Sequence, residues 1–188
     1  MPDEIWLVRH AETEWSRAGL HTGRTDVPLT DAGRERAREL GARLGDRSFA
    51  LVLASPLSRA RETAELAGLG DRVQLRDDLL EWDYGDYEGI TTQAIRARQP
   101  GWYLWRDGVP GGETPEEVGA RCDRVIEELL TVDGDVAVFA HGHVLRALSA
   151  RWVEEPVMFG GRLYLSTGAI SVLGFEREVR VIRHWNMD

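Results

Sequence analysis

The chain has 188 residues, 23 basic and 32 acidic, for a net charge of −9, and every basic residue is Arg. That length builds one domain with a sizeable core, and 43% hydrophobic content with seven Trp excludes a disordered acidic tail. The acidic balance speaks against sequence-independent nucleic-acid binding and an anionic membrane surface, and the absence of Lys removes Schiff bases, pyridoxal attachment and a P-loop.

Ile5 to Val8 is a short apolar run with little alternation, as in a strand buried on both faces of a sheet. It leads into Arg9-His10. Residues 10–29 are irregular, and Thr30 then caps a helix with Ala32, Ala37, Leu40 and Leu44 near one face. Ala50 to Ala54 is a second strand, followed by Ser55-Pro56-Leu57-Ser58-Arg59 and a helix from about Leu57 to Ala67. Residues 82–114 are again irregular, and segments of that kind in a compact domain usually carry function. Thr114, Pro115 and Glu117 are the cap, first position and reciprocal acid of a further helix. Val118, Cys122, Val125, Ile126 and Leu129 form its apolar face. Cys122 is thus a core residue, and one cysteine forms no internal disulfide.

Val136 to Ala140 is the third buried strand. It leads into His141-Gly142-His143 and a helix over Val144 to Trp152. Ile170 to Phe175 and Val179 to Ile182 are further strands. Strands alternating with helices predict a three-layer α/β/α sandwich with a mostly parallel central sheet. The chain reads as a single domain over residues 1–188. The N-terminus shows no signal peptide and no apolar run is membrane-length, which points to a soluble cytoplasmic protein.

In open α/β sheets ligands bind beyond the carboxyl ends of the strands. Two histidines and two arginines therefore converge on one edge: Arg9, His10, Arg59 and His141. Each alone is more often a hydrogen-bonded structural His or a solvated Arg; the coincidence is what carries weight. Together they suit phosphoryl transfer without metal. The guanidinium groups hold non-bridging oxygens, and a neutral imidazole attacks phosphorus. An acid for the leaving oxygen comes from Glu81 or Asp83, because a carboxyl beside a phosphate dianion keeps its proton nearer neutral pH. The alternative, that both are surface carboxylates at a strand end, stays open on spacing alone.

Arg9-His10-Ala11-Glu12-Thr13-Glu14-Trp15 resembles the opening motif of the histidine phosphatase superfamily, in its phosphoglycerate mutase-like branch. The resemblance continues through His21-Thr22-Gly23-Arg24-Thr25-Asp26, Ser55 to Ala60, Glu81 to Gly89, Gly111 to Thr114 and His141-Gly142-His143. Glu81 to Gly89 and Trp102 to Gly108 look most like the fungal sedoheptulose-1,7-bisphosphatase and mycobacterial acid phosphatase groups of that family. The resemblance implies that His10 is the phosphorylated nucleophile and that Arg9, Arg59 and His141 bind the phosphoryl group. It implies that Glu81 is the proton donor and later the base, with Thr22, Gly23 and the Gly142 N–H beside the phosphate and leaving group. Two positions depart from the pattern. Ala11 replaces a Gly and needs a negative φ. Ser16 replaces an Asn and is a shorter donor, so a water would bridge it to phosphate.

Selectivity falls to the 82–114 cap segment, where Trp82, Tyr84, Tyr87, Trp102, Tyr103 and Trp105 accompany Arg96, Arg98, Arg106 and Glu113. Tyr84, Arg96 and Arg106 are the candidate substrate contacts, with the arginines taking a second phosphate of a sugar phosphate. The alternative is that Trp102 and Trp105, three apart, simply pack a short helix. The expected partner is a small phosphoester, with no cofactor, metal, nucleic acid or membrane, and a homodimer is admitted. Rival readings are a bisphosphoglycerate-dependent phosphoglycerate mutase, a metallohydrolase using His10, His141, His143 and Glu81, and a vestigial binding module.

Overall fold

The run after Met1 forms a strand, β1 (Glu4–Arg9), whose side chains alternate between two cores. Ile5 and Leu7 enter a 27-residue cluster, while Trp6 and Val8 enter a 13-residue cluster on the opposite face. Both faces are apolar because both are covered, as a sheet interior requires. A computed structural model describes all of residues 1–188.

After β1 come α1 (Glu14–Arg17), α2 (Asp31–Leu44), β2 (Leu51–Ala54), α3 (Ser58–Leu66) and β3 (Val73–Leu75). Then follow α4 (Thr92–Arg98), α5 (Leu104–Asp107), α6 (Pro115–Leu129), β4 (Val136–Ala140), α7 (Gly142–Trp152), β5 (Ile170–Glu176) and β6 (Val179–Met187). The strand order is β3-β2-β4-β1-β5-β6. The pairings β3–β2, β2–β4 and β4–β1 are parallel, while β5 and β6 close the sheet antiparallel. Leu40 and Leu44 of α2 and Ala64 of α3 pack on the face of Trp6 and Val8. Val118 to Leu129 of α6 and Val144 to Leu148 of α7 cover the other. The fold is therefore the expected α/β/α sandwich with a mostly parallel sheet.

The caps act as their side chains dictate. Thr30 accepts from Gly33 N, and Thr114 and Glu117 form the reciprocal capping box. Four features differ from the expectations. The one-turn helix α1 lies within the 10–29 stretch, and β6 runs past Ile182 to Met187. β3 is an extra strand of only three residues at the sheet edge, mostly exposed and without an apolar run to announce it. Residues 82–114 also hold two short helices. In α4 only Ile95 is buried, so no periodicity marks it, and its signal is the Thr91 cap accepting from Ala94 N.

The base of that segment is stitched shut. Asp86 N donates to Pro110 O at 2.9 Å and Glu113 N to Asp83 O at 3.0 Å. Gly85, at φ +46°, lies where a Cβ would sit 2.3 Å from Pro110 O, so the turn admits only glycine there. Trp102 and Trp105 are both buried, Trp102 donating its indole N–H to Gly108 O. The packing reading holds for both. No helix is long and apolar enough to cross a membrane. Cys122 is buried, and burial pushes its thiol up to about 12, which makes it inert.

Candidate active site

Parallel pairing sets the depth at which each strand ends. His10 N donates to Ala140 O at 2.9 Å and Ser55 N to Phe139 O at 2.9 Å, so β1, β2 and β4 deliver Arg9-His10, Ser55 and His141 to one edge. The cleft above them is lined by Arg9, His10, Ser16, Thr22, Glu81, Tyr84, Gly142 and, beyond the residues expected, His21, His143 and Arg146 among others. Its volume is about 200 Å³.

His10 is held in one tautomer. Its Nδ1 donates to Ala11 O at 2.7 Å, which leaves the Nε2 lone pair free. Burial, then the Arg59 and Arg9 charges, hold this imidazole well below its ordinary pKa, so it stays neutral. Ala11 is fully buried with a negative φ, the condition its replacement of glycine requires.

Arg9 donates to Leu165 O, and its Nε is buried with no partner in the protein. An unmet donor on a buried guanidinium is costly unless an acceptor arrives. The guanidinium lies flat against Gly142. A Cβ there would stand 3.1 Å from Arg9 Cζ and Nε, so glycine gives the arginine its room.

Arg59 and His141 are fully buried and stand behind the cleft wall. Arg59 Nε donates to His141 Nδ1 at 3.1 Å, while the rest of its fork holds Thr22 O, Gly23 O and Thr25 O at 2.9–3.1 Å. His141 Nε2 donates to Ser55 Oγ at 2.7 Å. Arg59 thus fixes the 22–25 loop from one side, and Glu88 fixes it from the other by accepting Gly23 N and Thr25 N. Gly23 accordingly has both its N–H and its carbonyl engaged within the protein. Ser16 lines the cleft, but its hydroxyl donates to Thr13 O at 2.9 Å.

Glu81 accepts three backbone N–H bonds, from Trp82 and Val144 on Oε1 and from His143 on Oε2, each 2.9 Å. Two of these donors belong to the first turn of α7, where orphan N–H groups and the helix dipole favour a carboxylate. Two N–H bonds fill Oε1. Oε2 keeps one open lone-pair position, the place where a proton can sit. It is therefore not a free surface acid, whereas Asp83 is half-exposed and caps Gly85 N.

Tyr84 donates its hydroxyl to His143 Nδ1, which directs the other ring nitrogen of His143 to act as a donor. His21 donates Nδ1 to Ile90 O at 2.7 Å and packs edge-on against Tyr84 at 4.8 Å. Arg146 stacks 4.7 Å over Trp105 and gives Nε to Gly160 O at 2.9 Å, a neutral acceptor, so no carboxylate meets its charge there. The sequence signal for Arg146 is its place four residues after Gly142, on the same face of α7. The cap arginines Arg96 and Arg106, expected as substrate contacts, do not line the cleft. Arg96 donates to Trp102 O, and Arg106 pairs with Asp107 on the surface and faces a different cavity, beside Pro115 and Met158. Short helices α4 and α5 turn both side chains away from the cleft. No three His, Cys, Asp or Glu side chains converge as metal ligands would.

Burial lowers the pKa of His10, His21, His141 and His143 alike. Below about pH 6.5 the unfolded chain gains protons on these groups that the native state does not. Stability present above that pH is therefore lost as pH falls toward the folded-state values. Urea midpoints should drop steadily from about pH 7.5 to about pH 5, with each His contributing at most about 1.4 kcal/mol per pH unit. A flat profile would mean these rings are protonated in the fold.

The family model for the histidine phosphatase superfamily (branch 1) matches residues 5–188. An acid phosphatase of Mycobacterium tuberculosis is 43% identical over 180 residues, 94% of this chain and 88% of the relative. A sedoheptulose 1,7-bisphosphatase of Saccharomyces cerevisiae is 36% identical over 178 residues, 78% of this chain and 66% of the relative. Mutases are also among the relatives: a 2,3-bisphosphoglycerate-dependent phosphoglycerate mutase of Mesorhizobium japonicum is 36% identical over 165 residues, 79% of this chain and 80% of the relative. A solved structure of an open reading frame from Mycobacterium tuberculosis superposes with a TM-score of 0.94 at 40% identity, covering 98% of this chain and 97% of that one. With the family match spanning the sheet and every element of the cleft, the chain belongs to branch 1 of the histidine phosphatase superfamily.

Proposed function

We propose that this histidine phosphatase is a metal-independent phosphomonoesterase that works through a phosphohistidine at His10, on a small cytoplasmic metabolite. One observation carries the reading: the free Nε2 of a neutral His10 and the partnerless Nε of Arg9 belong to adjacent residues that both line the floor of one cleft. Nε2 attacks phosphorus, and the ester P–O bond breaks as the leaving oxygen takes the proton from Glu81. Ala11 O, already bonded to Nδ1–H, supports the cation that this ring becomes. Water then attacks the phosphoryl group and gives its proton to Glu81. The N–P bond breaks, phosphate leaves and His10 regains its lone pair. Arg9 and the α7 N-terminus at Gly142 hold the non-bridging oxygens. Arg59 and His141, their hydrogen bonds committed to the 22–25 loop and Ser55, act from behind: Arg59 adds its charge and holds the loop in place.

The cleft, at about 200 Å³, falls below the ~300–1,000 Å³ of drug-sized sites, which favours a compact substrate. Arg146, rather than Arg96 or Arg106, takes a second acidic group of that substrate. The sugar bisphosphate named for the yeast relative is a substrate of this form. Arg146→Gln should raise KM for sedoheptulose or fructose bisphosphate by about 10- to 100-fold, the cost of a lost charged hydrogen bond, and leave p-nitrophenyl phosphate almost unchanged. Equal losses on both would remove Arg146 from substrate recognition.

The mutase reading draws on the mutase relatives. Phosphate release from a phosphoester panel, with and without chelator and bisphosphoglycerate, separates the readings. Hydrolysis that ignores both additives supports the phosphatase. Turnover that depends on bisphosphoglycerate supports the mutase, and loss with chelator supports a metal enzyme.

A further inference from the structure

Arg121, on α6, is a buried cation that the chemistry above does not use. Its Nε and one terminal nitrogen grip Glu113 at 2.8 and 3.1 Å. The other terminal nitrogen donates to Asp78 O at 2.8 Å and Leu80 O at 2.6 Å. Glu113 in turn accepts Asp83 N at 2.8 Å, and its carbonyl accepts the Trp82 indole N–H at 2.9 Å. The two side chains therefore hold the backbone at Leu80, just before Glu81, and at Asp83, two residues after it. Arg24, from the loop that carries Thr22, reaches Asp83 and Glu113 at 3.6 Å each and ties that loop to the same pair.

From this geometry we infer that Arg121 and Glu113 are positioning residues for the acid–base carboxyl of Glu81. The α7 N–H groups fix the Glu81 side chain at one end. The clamp fixes its backbone at the other, so the Oε2 proton meets the leaving oxygen at one defined place. Neither clamp residue lines the cleft. The inference rests on Glu81 being the proton donor. A displaced donor harms only esters that need one, which separates positioning from general support of the fold.

The test compares kcat/KM for glycerol phosphate, an alkyl ester needing protonation, with p-nitrophenyl phosphate, whose leaving group departs unaided. Arg121→Lys keeps the charge, but one ammonium cannot span the acceptors of a guanidinium fork. It should lose about 100-fold on the alkyl ester, the scale of a misplacement near 1 Å, and little on the aryl ester. If Arg121→Lys folds poorly, the double variant Arg121→Met with Glu113→Gln removes the pair without leaving a buried lone charge and should show the same contrast. Adding Arg121→Lys to Glu81→Gln should cost nothing further on the alkyl ester. Equal losses on both esters, or additive losses with Glu81→Gln, would overturn the clamp's role alone. A Glu81→Gln enzyme showing no leaving-group contrast would overturn the donor assignment on which the role depends.

Discussion

His10→Ala should abolish turnover, by on the order of 10⁴- to 10⁶-fold as when a covalent nucleophile is removed, while the protein stays folded. The imidazole makes one hydrogen bond, to the carbonyl of its own neighbour, at the floor of an open cleft. Its removal opens a space that water can enter rather than a dry cavity, so stability should fall by no more than about 1–2 kcal/mol. The geometry also says which nitrogen carries the phosphoryl group. Nδ1 is committed to Ala11 O, so the trapped intermediate should be the Nε2 isomer. Rapid quench with labelled substrate should give an adduct on His10 that survives alkali and is lost in acid, and digestion should yield the Nε2-phosphohistidine. An acid-stable adduct would move the nucleophile to a hydroxyl. Substantial residual turnover in His10→Ala would remove His10 from the role.

Much of the site is legible because the fold forces it. Three apolar runs without alternation must be central strands, and central parallel strands deliver whatever follows them to one edge. Arg9-His10, Ser55 and His141 could therefore be brought together from residues that lie 86 positions apart in the Ser55–His141 pair. The depth of each side chain is a different matter. Arg59 reads as a first-turn cation open to an anion, yet it is fully buried and bonded to three carbonyls of the 22–25 loop. Nothing in the local sequence tells which irregular segment will fold back over it. The same limit applies to Arg146 and Arg96. Both are arginines on helices. Only the packing of Trp105 against α7, and of α4 away from it, decides that one faces the cleft and the other a carbonyl. The acidic total of the chain misleads for a related reason. Thirteen arginine–carboxylate pairs occupy charges mainly across the surface, and the cleft keeps Arg9 and Arg146 without an acid partner.

Glu81→Gln should slow hydrolysis of alkyl phosphates by ~100- to 10,000-fold, the span for loss of a general acid. The substitution keeps the shape but not the hydrogen bonding. Oε1 faces the N–H groups of Trp82 and Val144, and Oε2 faces that of His143. Whichever way the amide turns, its NH₂ opposes at least one backbone N–H. A stability loss of about 1–3 kcal/mol should therefore accompany the rate loss, for the donor left without an acceptor. Binding should move the other way. Removing a negative charge from beside the phosphate site relieves repulsion, so inorganic phosphate should inhibit the variant at least as well as the parent enzyme. The two halves of the reaction can also be separated. An aryl ester with a good leaving group still phosphorylates His10 in the variant. The second step then lacks the base that takes the proton from water, so p-nitrophenol should appear as a burst followed by slow turnover. A proportionate loss of burst and steady state would mean that Glu81 merely supports the pocket, and a loss of phosphate affinity with chemistry intact would make it a binding group. The predicted pairing, fast phosphorylation and slow release on one ester and slow phosphorylation on the other, is what a single carboxyl acting first as acid and then as base requires.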